Sequence, residues 1–199
     1  MKVQVIGAAL LATALAGCGG KADFAITGSI TGLSNPNLVL VNNGEELKVA
    51  SGATSFSFPN SISYGTEYNV TIKTQPDHMT CSVVGGHGSA GHTTTIAIGI
   101  ICQQNQYTVG GSVASIAKDN TSGPLSADNL VLVNGSSSGQ IAIAKGASSF
   151  TIPGTIPVGT AYGLSVFSQP TGQECTITNG SGVVGDANRT DVVVSCKVL

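Results

Sequence analysis

The residues able to do chemistry in this 199-residue chain are few: five cysteines, three histidines and ten carboxylates. His78, His87 and His92 crowd one stretch, with Asp77 beside the first. Converging imidazoles can hold a divalent cation, which makes His87 and His92 weak metal candidates. If the surrounding segment is an antiparallel hairpin, His87 lies four rows from the turn that carries His92. At a strand's rise that is on the order of 13 Å, too far for one ion, although a distortion at Gly85-Gly86 would bring the rings together. No cofactor is expected. Nucleophilic catalysis lacks its parts: no serine sits in a nucleophile elbow, and the acids are scattered. Glu45 and Glu46 are adjacent and point apart on a strand. Gly86-His87-Gly88-Ser89-Ala90-Gly91 and Gly180-Ser181-Gly182-Val183-Val184-Gly185 both fit G-x-G-x-x-G. A dinucleotide site needs a helix after that motif, whereas Thr93-Thr94-Thr95-Ile96 reads as a strand. A glycine-rich hairpin and a chain that is not an enzyme are the expectations.

Charged residues make up 9% and hydrophobic residues 41%, with a formal net charge of −2. So few basic groups exclude a nucleic-acid binder. The apolar content is enough for a packed core.

The elements that position these residues come in two copies. Asn37-Leu38-Val39-Leu40-Val41-Asn42 returns as Asn129-Leu130-Val131-Leu132-Val133-Asn134. Ser55-Phe56, Gly65-Thr66-x-Tyr68, Gln75-Pro76, Cys81 and Cys102 all return 94 residues later. The offset is 92 at Asn37 and 83 at Ser29, so copy two has gained residues in the Asn134–Gly139 turn and in the polar stretch Ala117–Asp128. Surface loops on a fixed scaffold tolerate such gains. In copy one, short runs rich in Val, Ile and Thr predict strands near 25–32, 37–42, 46–50, 54–58, 67–74, 79–84 and 95–102. Tyr68, Val70 and Ile72 alternate with polar neighbours, the period of a sheet with one wet face. The fold class is therefore all-β: two tandem immunoglobulin-like β-sandwiches, 25–102 and 107–199, joined by a short linker at 103–106. The shortness of that linker predicts a stiff tandem.

The repeat selects one pairing among four of the cysteines: Cys81 with Cys102, and Cys175 with Cys196. Placed opposite one another in antiparallel hairpins, they centre the turns on Gly91-His92 and Gly185-Asp186, a Gly-X preference of type II′ turns. The same register puts Val83 opposite Ile100 and Ile177 opposite Val194, so the bridges should be buried. Tyr68 and Tyr162 each follow Gly-Thr at the start of a strand, where a tyrosine hydroxyl often bonds loop backbone.

The fifth cysteine has a different setting. Met1-Lys2 is a short positive start, and Val3–Ala16 is apolar and too short for a stable bilayer anchor. Leu15-Ala16-Gly17-Cys18 then resembles the lipobox of bacterial lipoproteins. The resemblance implies a signal peptide over 1–17, cleavage before Cys18, acylation of the Cys18 thiol, and a tether over 18–24. It also implies a partner, the membrane, reached through the lipid anchor. Gly19 stands where an Asp would favour inner-membrane retention, so an outer-membrane address is expected, facing either periplasm or exterior.

The whole repeat resembles modules of bacterial cell-envelope lipoproteins, on Leu38–Asn42, Ser55–Pro59, Gly65–Ile72, Gln75-Pro76, Cys81 and Cys102 and their counterparts. The resemblance implies an extracytoplasmic module with no defined activity. The leading expectation is a structural or binding lipoprotein, for adhesion or scaffolding, whose partner meets the 117–128 loop. Two alternatives are a filament subunit built by strand addition, with segment 21–32 donated to a neighbour, and a glycan- or metal-binding lipoprotein.

Overall fold

The computed structural model describes residues 22–92, 96–135 and 139–199. The signal segment, Cys18 and most of the expected tether lie outside the described residues. No helix in the described residues is long and apolar enough to cross a membrane.

The chain forms two tandem immunoglobulin-like β-sandwiches. In unit one the first sheet runs in the order Ser55–Ser57, Thr27–Thr31, Ile98–Gln104, Met79–Val84. The second runs Glu45–Lys48, Val39–Asn42, Glu67–Thr74, His87–Ser89. Unit two repeats both sheets, with Val109–Ile116, Arg189–Val198 and Gln173–Thr178 in the first, and Gln140–Ile143, Leu130–Asn134, Ala161–Ser168 and Ser181–Val183 in the second. In each unit the first long strand pairs parallel with the last.

Alternation drives the layers together. Leu38, Leu40, Val70, Ile98 and Ile100 are essentially fully buried in unit one, and Val109, Leu130, Leu132, Val192 and Val194 in unit two. The rings of Phe56 and Phe58 meet edge to face at 6.0 Å within the first core. Polar residues kept in both copies close local gaps. Asn42 and Asn134, both buried, accept hydrogen bonds from the backbone N–H of Asn69 (3.0 Å) and Gly163 (2.8 Å).

The bridges Cys81–Cys102 and Cys175–Cys196 join directly opposed residues at a Cα separation of 3.9 Å, and all four cysteines are buried. A crosslink over a loop of this size restricts the unfolded chain by about 3 kcal/mol in the loop-entropy model. The repeated glutamines complete each staple. Gln75 accepts from the N–H of Cys81 at 2.7 Å and donates to its carbonyl at 3.0 Å, and Gln169 does the same to Cys175 at 2.7 and 3.2 Å. One amide side chain thus supplies the hydrogen bonds of a missing neighbour strand at the sheet edge.

The segments between the cysteines do not run as continuous hairpins. The expected register holds for Met79–Val84 against Ile98–Gln104, but the chain then changes sheets. His87–Ser89 pairs with Glu67–Asn69, and Ser181–Val183 with Ala161–Gly163. A type II′ turn requires a positive φ at its first central residue; Gly91 has one, 94°, and Gly185 does not.

The stretch gained by copy two is anchored rather than free. Ser122–Gly123 pairs with Ser115–Ile116, and Leu125, 1% exposed, plugs the second core. Its N–H bonds the carbonyl of Ala147, and its carbonyl accepts from Gly146. Behind it, Ser115 donates to the buried Gln173 at 3.1 Å and accepts from the N–H of Ser126 at 2.8 Å. Leu125→Ala should therefore destabilise unit two by about 2–5 kcal/mol, read as a lowered urea midpoint at unchanged slope. Substitution at the exposed Lys118 should leave the midpoint in place.

Candidate functional site

The change of sheet explains the glycine pattern. A Cβ on Gly86 would lie 2.4 Å from the carbonyl oxygen of Val70, and one on Gly180 would lie 2.6 Å from Ile177. The next glycines, Gly88 and Gly182, sit opposite Tyr68 and Tyr162, whose rings cover them. The motif is a close crossing of backbone roofed by an aromatic ring, with no phosphate cradle. This also revises the role of Tyr162. The hydroxyl of Tyr162 is buried without a hydrogen-bond partner, so the ring serves by covering glycine and filling the core, not by bonding loop backbone.

The change of sheet also removes the hairpin spacing used for the histidines. His87 lies exposed on the strand beside Asn69, and His92 is exposed at the tip. No group of three His, Cys, Asp or Glu residues able to hold a metal is present among the described residues. The carboxylates take structural partners: Glu46 pairs with Lys73, and Glu45 accepts from Asn60 at 2.6 Å. Shallow depressions mark the surface beside Phe150 and Arg189, along Asp186–Asp191 and at the linker, each open to solvent.

The joint between the units brings polar groups together. The N–H of Asn105 bonds the carbonyl of His78 at 2.9 Å, and its own carbonyl accepts from Val158 at 3.0 Å. Thr80 donates to the Asn105 side chain, and Thr155 to Gln106, both at 2.7 Å. His78 Nδ1 lies 2.7 Å from the carboxylate of Asp186. This contact crosses 108 residues, and neither partner's type marks it in the sequence. His78 holds a positive φ of 57° in the turn that presents it. The hydrogen bond that His78 donates to Asp186, then the charge of that carboxylate, raise the His78 pKa above the ordinary value, and Asp77 adds to the effect.

The two copies differ most on the outer face of the second sheet. Unit one carries Glu46, Lys48, Glu67 and Lys73 there, all exposed. The matching residues of unit two are Gln140, Ala142, Ala161 and Phe167, none charged, with Phe167 61% exposed. Lys73 and Phe167 occupy the same bulge in their strands. The proposed donor segment 21–32 is already used, since Thr27–Thr31 is an inner strand of its own sheet.

No protein-family model and no curated protein matches the chain. Among solved structures, the Bacillus anthracis TIE protein aligns at TM-score 0.49 and 13% identity, over 89% of this chain and 34% of that one. The chain thus spans about a third of that protein's length. The major pilin T3.2 of Streptococcus pyogenes serotype GAS13637 aligns at 0.28 and 13%, over 90% of this chain and 98% of that one. A point mutant of the major pilin from Streptococcus pyogenes aligns at 0.29 and 10%, over 90% and 99%. At these scores the likenesses carry no argument about function.

Because the folded His78 pKa is raised, its ion pair acts in full below the unfolded value and is lost as pH rises through the folded one. NMR titration should place the His78 midpoint above the ordinary histidine value, and Asp186→Asn should lower it.

Proposed function

We propose that this chain is a non-enzymatic lipoprotein of the bacterial cell envelope, held by an acylated Cys18 and serving as an adhesive or scaffolding module. One observation carries the reading: the units stand in series between two chemically different poles. Ala22, four residues after Cys18, lies at one pole of unit one, where its carbonyl accepts from Tyr64. Val109–Ile116 leaves the linker and, about 25 Å later by its rise, delivers the enlarged loop to the far pole of unit two.

That loop has an ordered tip. Asp119 accepts from the hydroxyl of Thr121 at 2.7 Å and from its N–H at 3.0 Å, and these bonds hold the carboxyl below its ordinary pKa. The uncharged outer face of unit two supports a binding role as well, since the cores of interfaces are depleted of charge. Gly19 after Cys18, where an Asp would favour inner-membrane retention, supports outer-membrane residence. Several acyl chains on one cysteine, each buried methylene contributing about 0.8 kcal/mol, make a firm anchor.

Mass spectrometry of the mature N-terminal peptide should show Cys18 carrying acyl groups. Trypsin shaving of intact cells should cut first after Lys118 in the exposed tip. An unmodified N-terminus retaining residues 1–17 would refute the anchor, and protection of Lys118 until the outer membrane is opened would place the module in the periplasm.

A further inference from the structure

Corresponding poles of the two units have different neighbours. In unit two, Val158 is half-buried at the joint, where the backbone of Asn105 and the side chain of Gln104 meet it, and Asp186 reaches His78 of unit one. The repeat maps Val158 onto Tyr64, Asn105 onto Ala22, Tyr107 onto Phe24 and Asp186 onto His92. Unit one builds the same backbone connection, Tyr64 N–H to the carbonyl of Ala22 at 3.0 Å. No module covers it among the described residues, and Tyr64 is 67% exposed. Its ring lies against Phe24, centroids 6.5 Å apart, and over Gly91, where a Cβ would come within 2.2 Å of it. The ring is therefore held outward by packing beneath it.

What lies beyond this pole is fixed by the chain. Three residues, Gly19 to Lys21, separate Ala22 from Cys18, so four steps of chain give a reach of about 14 Å when fully extended. We infer that the Phe24–Tyr64 pole of unit one rests on the headgroup layer of the bilayer, so that a lipid surface occupies the place that unit one occupies against unit two. The inference rests on the lipoprotein reading above. Tyrosine suits this layer, with its ring toward the acyl boundary and its hydroxyl in water. Asp23 beside it, accepting from Ser63 at 3.3 Å, keeps the contact at headgroup depth. Contact at this pole makes the module stand on the membrane rather than lie along it.

The chain contains no tryptophan, so one introduced indole is an unambiguous reporter. Tyr64→Trp and Phe167→Trp versions of the acylated chain are to be placed in vesicles of phosphatidylethanolamine and phosphatidylglycerol doped with chain-brominated phosphatidylcholine. The Tyr64→Trp emission should fall about twofold relative to vesicles without bromine, as for an interfacial ring. Phe167→Trp should be unchanged. In parallel, unacylated mature chain is to be coupled through the Cys18 thiol to maleimide lipid in the same vesicles, which reads the pole independently of natural acylation. Tyr64→Trp unquenched in both arms overturns the inference while leaving the anchor standing. Equal quenching of the two reporters also overturns it, since the module would then lie flat. A natural chain without acyl groups refutes the lipoprotein reading, and the inference falls with it.

Discussion

Each unit hangs on its last long strand. Ile98–Gln104 pairs parallel with Thr27–Thr31 on one side and antiparallel with Met79–Val84 on the other, and it carries one half of the buried disulfide. The strand then continues through Asn105 alone into Gln106–Tyr107, which pairs inside unit two. The staple that fixes strand register in one sandwich therefore also fixes where the next begins. The glutamine clamp serves the same end. It closes the outer edge of the stapled strand pair, the place where a sheet otherwise invites a foreign strand.

Much of this was legible in the residues. Repetition and the period of two located the long strands, and the equal cysteine intervals chose the disulfide pairing. The cross-strand partners Val83–Ile100 and Ile177–Val194 followed from that register. What escaped were events set by contacts distant in sequence. A glycine-rich stretch between paired strands reads as a turn, because local pattern cannot show that Gly86 and Gly180 permit a crossing to the opposite sheet. The signal was present in a weaker form: Tyr68 and Tyr162 stand at matched positions to Gly88 and Gly182, and an aromatic opposite a glycine is a cross-strand pair. Leu125 was hidden for another reason. A lone leucine in a polar insertion carries no period, so its burial was invisible until Ala147 and Gly146 were seen to bracket it. The His78–Asp186 contact depends on how two units meet, which no pattern within either unit encodes.

The divergence of the copies bears on function more than their likeness does. Both keep the groups that hold the sandwich together: the buried asparagine, the glutamine clamp, the cysteines and the tyrosine-covered glycine. Differences gather on surfaces. At the pole that forms the joint, Asp186 and Val158 of unit two meet unit one, whereas their counterparts His92 and Tyr64 meet no second unit among the described residues. On the outer sheet face an exposed ion pair, Glu46 with Lys73, is matched by Gln140 and Phe167. An exposed ion pair contributes little to stability, so its replacement changes the fold's energetics slightly. It changes the cost of removing water from that face far more, because charged groups are the expensive ones to dehydrate. Unit one thus keeps a solvated side wall, while unit two has exchanged charge for apolar area on a wall and gained a structured loop at its pole.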